Sequence, residues 1–119
     1  MKKILVVDDS VTVRMYHRQI LENADYEVDE AENGMEALEK ISECKYDMYL
    51  VDINMPILDG YSFLKRFREN DGFDAPIIMV STEAEENDKL LAYEYGANLY
   101  QVKPVGTDEL VISANLLTT

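Results

Sequence analysis

Residues 48–60 read MYLVDINMPILDG, a stretch in which an apolar run leads directly into the carboxylate of Asp52. A Met–Pro pair begins three residues after that aspartate. Burying an unpaired charge is expensive, so Asp52 needs either a partner or a chemical purpose. Two other stretches repeat the pattern of an apolar run that ends in charged residues: ILVVDDS at 4–10 and LYQVKPV at 99–105. An explanation of one stretch has to account for all three.

Five short apolar runs alternate with five helical patterns along the chain. The predicted strands are residues 3–8, 27–31, 48–52, 76–80 and 99–103. The predicted helices are residues 11–23, 34–43, 60–69, 84–95 and 108–117. Strands and helices that alternate at this spacing indicate right-handed crossovers onto a parallel sheet covered on both faces. We therefore predict one α/β domain of (βα)5 type that spans residues 1–119.

Apolar residues in the first two helices recur at a spacing of three to four, which predicts one buried face for each helix. The predicted inward residues of the first helix are Val13, Tyr16, His17, Ile20, Leu21 and Ala24, and those of the second are Met35, Leu38 and Ile41. His17 is the only histidine, and its place on this face predicts a packing role rather than a phosphohistidine.

Composition excludes several classes of function. The formal net charge of −13 argues against nucleic acid as a direct partner, since phosphate neutralisation needs clustered Lys and Arg. The sequence contains no apolar run long enough for a membrane span and no secretory signal, so we expect a cytoplasmic protein without membrane contact. The single Cys44 cannot form an internal disulfide and is interpreted as a packing residue.

Polar residues stand where four of the predicted strands end. They are Asp8 and Asp9, Asp52, Ser81 and Thr82, and Lys103 followed by Pro104. In an open parallel sheet, ligands bind outside the carboxyl ends of the strands at a topological switch point. These side chains are therefore expected to share one small site.

Three carboxylates in one place repel each other and need compensation. A divalent cation and the ammonium of Lys103 together supply three positive charges against the three aspartates. Mg²⁺ suits such a site because it takes oxygen ligands and keeps positions open for water and phosphate, whereas the lack of His and Cys in the set disfavours zinc. A carboxylate such as Asp52, flanked by a metal and a cation, can attack phosphorus and form an aspartyl phosphate.

Simpler interpretations exist for two of these groups. Asp8 and Asp9 suit the N-cap and first turn of the first helix, and either Ser81 or Thr82 suits the N-cap of the fourth. The coincidence of charged residues at several strand ends favours the metal and phosphoryl site over the capping interpretation.

The motifs VVDDS, VDINMPILDG, MVSTEA and VKP, in this order and spacing, resemble the receiver domain family of two-component response regulators. The resemblance spans the whole chain and is strongest to the single-domain chemotaxis regulators of that family. It implies a flavodoxin-like, doubly wound five-stranded sheet with strand order 2-1-3-4-5.

The resemblance also implies roles for individual residues near the metal. Asp52 is expected to be the phosphoacceptor. Asp9 is expected to bind Mg²⁺ directly, Asp8 to act largely through water, and Asp52 with the main-chain carbonyl of Asn54 to complete the protein ligands. Asn54 and Glu83 are positions that tune the lifetime of the phosphorylated state in the family.

Further expectations from the resemblance concern the switch. Ser81 matches the hydroxyl that turns toward the phosphoryl group, and Tyr100 the aromatic residue whose ring then moves inward. Lys103 matches the lysine that pairs with the phosphoryl group, and the Lys103–Pro104 bond is expected to be cis. Thr82 occupies a position where the family usually has a small residue.

The function implied is a stand-alone response regulator that receives its phosphoryl group from a sensor histidine kinase and assists its own dephosphorylation. We expect a monomer that is not an enzyme on a free substrate. Because the chain ends at Thr119, we expect it to act by docking on a downstream protein in chemotaxis, such as a flagellar motor switch or a phosphatase.

Three other functions remain open from the sequence. A single-domain phosphorelay intermediate would carry the same residues. A Mg²⁺-dependent phosphatase that forms an aspartyl phosphate commonly has a second Asp where Asn54 stands, and the chain lacks a cap segment. A flavodoxin-like nucleotide-binding module would need a glycine- or hydroxyl-rich loop where DDSVTVR stands at 8–14.

Overall fold

The computed structural model describes residues 1–71, 75–83 and 85–119. Strands and helices alternate in these residues as the sequence predicts. In chain order the elements are β1 (Lys3–Val7), α1 (Val11–Asn23), β2 (Glu27–Ala31), α2 (Gly34–Glu43), β3 (Met48–Asp52), α3 (Gly60–Asp71), β4 (Ile77–Ser81), α4 (Glu86–Glu94), β5 (Leu99–Val102) and α5 (Thr107–Leu117). The bounds of α1 and α2 match the prediction, and the start predicted for the fourth helix, Ala84, lies outside the described residues.

The five strands form one sheet in the order β2-β1-β3-β4-β5, which confirms the doubly wound topology. All four pairings are parallel. Val7 at the end of β1 lies opposite Val51 of β3, and Ser81 at the end of β4 lies opposite Val102 of β5. This register brings the carboxyl ends of the central strands to one edge, where the site is expected.

Two apolar layers cover the sheet. On one face, α1 and α5 pack over the side chains of Ile4, Val6, Leu50 and Val80. On the other face, α2, α3 and α4 pack over alternate residues of the same strands, including Val51. Strands that are buried on both sides explain why their sequences read as continuous apolar runs. Cys44 is half-buried against this second layer, in agreement with a packing role.

Two residues of the predicted inward faces lie elsewhere. Tyr16 is exposed, and its hydroxyl donates to the carbonyl of Val105 across the gap between α1 and the loop that precedes α5. Met35 is also exposed, because Gly34 and Ala37 form the buried part of the α2 face. Periodicity predicted the buried face correctly but not its edges, where a long side chain can turn toward solvent.

Strand β4 is shifted by one residue from its prediction. Pro76 precedes the strand, since it has no N–H to donate, although its carbonyl accepts from Tyr49. Ser81 belongs to the strand and accepts through its carbonyl from Lys103 N.

Within the described residues, no helix has the length and apolar character that crossing a bilayer requires.

Candidate phosphoryl-transfer site

Asp8, Asp9 and Asp52 meet at the carboxyl edge of the sheet. Asp8 follows the last residue of β1, and Asp52 is the last residue of β3. One carboxylate oxygen from each of the three lies within 4.8 Å of the others. Asp8 and Asp52 are 1% and 5% exposed, whereas Asp9 is open to solvent. The predicted acidic group is therefore present, and one of its members faces water.

Lys103 bridges the two buried aspartates. Its Nζ lies 2.7 Å from Asp8 Oδ2 and 3.0 Å from Asp52 Oδ1. Burial lowers the pKa of Lys103, but hydrogen bonds to the two carboxylates outweigh it and raise the pKa above the ordinary value. Lys103 follows the last residue of β5, and the Lys103–Pro104 bond is cis, the isomer that the resemblance implies.

Replacing this ammonium is expected to destabilise the metal-free protein. Lys103→Gln leaves two buried carboxylates without their shared cation, so we expect the free energy of unfolding to fall by about 2 kcal/mol in chelator. Urea unfolding followed by circular dichroism measures the change. Added Mg²⁺ should reduce the difference from wild type, because the ion supplies positive charge at the same place.

Lys3→Gln is the matched control. Lys3 pairs with Asp29 at 3.8 Å, and both side chains are partly exposed, so its loss should cost less than about 1 kcal/mol. Equal stability of Lys103→Gln and wild type in chelator would contradict a bridging role for Lys103.

Asp8 is fixed by the backbone that starts α1. Its main-chain N donates to the carbonyl of Ala31 at 3.0 Å, and its Oδ1 accepts from Ser10 N at 2.9 Å. The N-cap of α1 is Ser10, whose hydroxyl accepts from Val13 N. The alternative interpretation of Asp8 and Asp9 as caps of the first helix is therefore wrong.

The carboxylate of Asp52 has a pKa well above its ordinary value. Burial raises its pKa, the hydrogen bond from Lys103 lowers it, and the charges of Asp8 and Asp9 raise it again, so that the pKa reaches about 6. At neutral pH the group is still mainly ionised and thus able to act as a nucleophile. Added positive charge would favour the ionised form further.

The residues present fit a magnesium ion. The donors are carboxylate oxygens from three residues, and the group has an exposed side at Asp9 where water and phosphate oxygens can complete the coordination. No His or Cys belongs to the group among the described residues, which disfavours zinc. The exposed Asn54 follows two residues after Asp52, in the loop that leaves the site.

The hydroxyl of Ser81 is joined to Tyr100 through the loop after β4. Ser81 Oγ accepts from the main-chain N of Glu83 at 3.0 Å, and the hydroxyl of Tyr100 donates to the main-chain carbonyl of Glu83 at 2.7 Å. Tyr100 is buried, and burial raises the pKa of its hydroxyl. The ring therefore occupies the inward position that the resemblance assigns to the switched state.

The capping interpretation of Ser81 and Thr82 is also wrong. The residue before α4 is Glu85, and no side chain hydrogen bond caps this helix. Ser81 lies instead in the last position of β4, buried, whereas Thr82 is exposed. Ser81 is thus the hydroxyl that the structure places beside the buried Tyr100.

The loop between Asp52 and α3 contains a backbone conformation that side chains rarely adopt. Ile57 has a φ of 70° and is 80% exposed. Leu58 N donates to the carbonyl of Pro56 at 2.7 Å, which closes a three-residue turn around Ile57. A β-branched residue with positive φ is an outlier, and such strain is concentrated at functional loops.

His17 is buried on α1, which confirms its predicted packing role. It is 1% exposed, and its Nδ1 has no hydrogen-bond partner within the described part of the chain. Burial lowers its pKa below the ordinary 6.5, Asp8 raises it and Lys103 lowers it again. The imidazole is therefore neutral in the folded protein at neutral pH.

Acid is expected to destabilise the wild type more than His17→Leu. The unfolded chain takes up a proton on His17 below pH 6.5, whereas the folded protein resists protonation until a lower pH. Between the lowered pKa of the folded protein and pH 6.5, the free energy of unfolding therefore decreases as pH falls, by up to about 1.4 kcal/mol per pH unit.

Urea unfolding of both proteins from pH 7.5 downwards measures the difference between them, which cancels the carboxylates they share. A constant difference at all pH values would contradict the lowered pKa.

Arg14 is a site residue that the sequence did not reveal. Its Nη1 donates to the main-chain carbonyl of Asp8 at 2.6 Å, and its Nε lies 2.9 Å from Glu30 Oε1 on β2. Sequence spacing could not identify this contact, because it joins a helix to the ends of two strands. A charged residue next to a buried helix face was the only available signal.

Comparison with known proteins identifies the family. Residues 4–115 match the family model described as response regulator receiver domain. The transcriptional regulatory protein ResD of Bacillus subtilis is 41% identical over 115 residues, which cover 97% of this chain and 47% of ResD. The transcriptional regulatory protein SrrA of Staphylococcus aureus is 36% identical over the same shares. The chain thus spans about half the length of these curated relatives.

Solved structures agree with this match. The chemotaxis protein CheY4 of Vibrio cholerae superimposes with a TM-score of 0.92 at 34% identity over 98% of both chains. The receiver domain of the Francisella response regulator 1452 gives a TM-score of 0.94 at 32% identity, over 99% of this chain and 97% of that one. The fold is CheY-like.

Proposed function

This chain belongs to the response regulator receiver domain family of two-component systems, and we propose that it is a switch phosphorylated on Asp52 by a sensor histidine kinase. One observation carries the proposal: Asp52 lies 3.0 Å from the ammonium of Lys103 and within reach of two more carboxylates. A carboxylate flanked by an ammonium and a group of metal-binding carboxylates is suited to attack phosphorus.

In the proposed reaction, a carboxylate oxygen of Asp52 forms a bond to phosphorus while the P–N bond of the kinase phosphohistidine breaks. The electron pair of that bond stays on the histidine nitrogen, which takes a proton from water. Mg²⁺, held by Asp8, Asp9, Asp52 and the carbonyl of Asn54, would neutralise phosphoryl oxygens when bound. Lys103 would transfer its contact from the Asp52 carboxylate to the phosphoryl group, which keeps the ammonium paired throughout.

The proposed switch uses the hydrogen bonds that connect Ser81 and Tyr100 to the main chain of Glu83. A phosphoryl group on Asp52 attracts the Ser81 hydroxyl, and the bond from Glu83 N to Ser81 Oγ couples that movement to the loop before α4. Tyr100, which donates to Glu83 O, favours the same loop conformation. Phosphorylation would therefore shift an existing equilibrium rather than create a new conformer.

Exposed apolar side chains border the site and suit a docking kinase. Val11 and Met15 lie on the exposed side of α1, close in sequence to the acidic pair, and Ile57 projects from the loop after Asp52. Pro104 is exposed next to Lys103. Apolar contacts on several sides of a phosphoacceptor would exclude water while the phosphoryl group is transferred.

Intact mass spectrometry tests the phosphoryl transfer. Incubation with Mg²⁺ and phosphoramidate should add one phosphoryl group, and chelation of the metal should prevent the addition. The phosphatase alternative predicts instead that a free phosphomonoester is hydrolysed with many turnovers. Turnover of that kind without a stable phosphorylated protein would overturn the switch and favour an enzyme.

For the output we propose docking on a partner protein in chemotaxis signalling, supported by the likeness to the chemotaxis protein CheY4 of Vibrio cholerae at 34% identity. Regulation of transcription is the second candidate, favoured by the higher identity to ResD. Deleting the gene in its own cell separates the two: chemotaxis predicts altered swimming, whereas the second candidate predicts altered transcript levels with normal swimming. A phosphorelay intermediate would pass its phosphoryl group to a histidine of another protein.

A further inference from the structure

Arg14 connects three elements next to the acidic group. It belongs to α1, its Nη1 donates to the carbonyl of Asp8 at 2.6 Å, and its Nε bonds Glu30 of β2 at 2.9 Å. The Arg14 side chain is only 12% exposed, so both bonds are largely shielded from water. A guanidinium is a planar fork, and two fixed acceptors hold it in one orientation.

Glu30 is itself held on several sides. Its Oε2 accepts from Arg18 Nη1 at 2.6 Å, and its main-chain carbonyl accepts from Lys40 Nζ of α2. Burial raises the pKa of Glu30, but hydrogen bonds from Arg18 and Arg14 outweigh it and keep the pKa below the ordinary value. Glu30 is therefore a charged, fixed anchor for Arg14.

The bond from Arg14 acts on the peptide unit that joins Asp8 to Asp9. That unit is planar, so fixing the direction of the Asp8 carbonyl also fixes the direction in which the chain enters Asp9. Asp8 has further support from Ser10 and Lys103 through its carboxylate. The Asp9 carboxylate is exposed, and no hydrogen bond to it is found among the described residues, so its position depends on this backbone.

We propose that Arg14, anchored by Glu30, is a positioning residue that sets the affinity of the Asp9-containing site for Mg²⁺ by fixing the Asp8–Asp9 peptide. The inference rests on the proposed function, since it assigns Asp9 to the metal. It assigns no contact between Arg14 and metal or phosphate. The role resembles that of outer groups that orient metal ligands in other proteins, whose loss weakens metal binding by about 10-fold or more.

The charge of Arg14 allows a test in which positioning and electrostatics give opposite signs. Arg14→Gln removes a positive charge near a cation site, so a field effect alone would tighten Mg²⁺ binding. Loss of positioning should instead weaken it by about 10-fold. Titration of the full chain with Mg²⁺, followed by amide shifts in NMR, measures the dissociation constant without any phosphoryl transfer.

Arg18→Gln is the matched control. Arg18 lies on the same helix, carries the same charge and bonds the same Glu30, but it makes no bond to Asp8. Its replacement leaves Glu30 bonded to Arg14 and, through the main-chain carbonyl of Glu30, to Lys40, so the Mg²⁺ affinity should stay within about two-fold of wild type. Arg14→Lys keeps the charge without the fork and should bind Mg²⁺ with an intermediate affinity.

A second measurement uses the metal-free protein. Amide hydrogen exchange at Asp9 and Ser10 should accelerate in Arg14→Gln and in Glu30→Gln, and remain unchanged in Arg18→Gln. If Arg14→Gln does not fold, Arg14→Lys carries the Mg²⁺ titration, and Arg14→Lys and Glu30→Gln carry the hydrogen-exchange measurement. Tighter or unchanged Mg²⁺ binding in Arg14→Gln or Arg14→Lys would overturn the inference, whereas absence of Mg²⁺ binding in the wild type would overturn the proposed function.

Discussion

Asp52→Asn is expected to abolish phosphorylation by any donor. An amide has no carboxylate oxygen to attack phosphorus, and the loss of a nucleophile reduces a rate by about 10³-fold or more. Asn has nearly the same shape, and its amide oxygen can still accept from Lys103, so the fold should persist. Intact mass after incubation with phosphoramidate and Mg²⁺ measures the result.

The control for this change is Asp108→Asn, an exposed acid in the first turn of α5. It removes the same charge and should be phosphorylated like the wild type. A phosphoryl group found on Asp52→Asn, at any residue and with a similar rate, would show that Asp52 is not the acceptor.

Gly60→Ala is expected to destabilise the fold and disturb the acceptor at the same time. A Cβ built on Gly60 would lie 2.4 Å from the carbonyl oxygen of Asp52 and 2.9 Å from the Cα of Ile53. Both neighbours are backbone, and Gly60 N is already bonded to the carbonyl of Ile53 at 2.8 Å. We expect the free energy of unfolding to fall by about 3 kcal/mol, at the upper end for an added methyl group in a packed interior.

Gly106→Ala provides the comparison, since its Cβ would meet only Glu109 Cβ at 3.9 Å. Its stability should remain within about 1 kcal/mol of wild type. Urea unfolding measures both variants, and the rate of phosphorylation at a temperature where Gly60→Ala is folded measures the displacement of Asp52. Equal stability of the two variants would contradict the close packing of α3 against the end of β3.

The fold could be predicted from local patterns because each pattern has a direct physical cause. Strands buried on both faces must be continuously apolar, and LVV, YLV and IIMV are. The bounds of α2 agree with the prediction, and the side chain of Asn33 caps its start by accepting from Glu36 N. Ser81 and Thr82 look like caps of α4 in the sequence, but Ser81 stays in β4, where its carbonyl accepts from Lys103 N.

The grouping of the site could be predicted because parallel topology brings strand ends together. Asp8, Asp52 and Lys103 were expected to meet for that reason, and their contacts follow from it. The capping alternative for Asp8 could not be rejected from the sequence, because which residue caps α1 depends on the folded backbone, where Ser10 is the N-cap.

Two residues near the site could not be found from the sequence. Arg14 contacts Asp8 and Glu30 through bonds between separate elements, so no spacing reveals them. The sequence placed Gly60 at the start of the predicted third helix, but the requirement for glycine there comes from the backbone of Asp52 beside it. Such constraints depend on distances across the fold, whereas periodicity reports only neighbours within one helix or strand.

Tyr100 and Ser81 are both hydrogen-bonded to main-chain atoms of residue 83. Every amino acid except proline offers the same N–H and carbonyl, so the side chain at position 83 can change while both hydrogen bonds of the loop are kept. If that side chain adjusts how long the phosphorylated state lasts, the timing of the signal and its transmission are separately adjustable. A single substitution at Glu83 would therefore lengthen or shorten the lifetime of the phosphorylated state and leave the hydrogen bonds to Ser81 and Tyr100 unchanged.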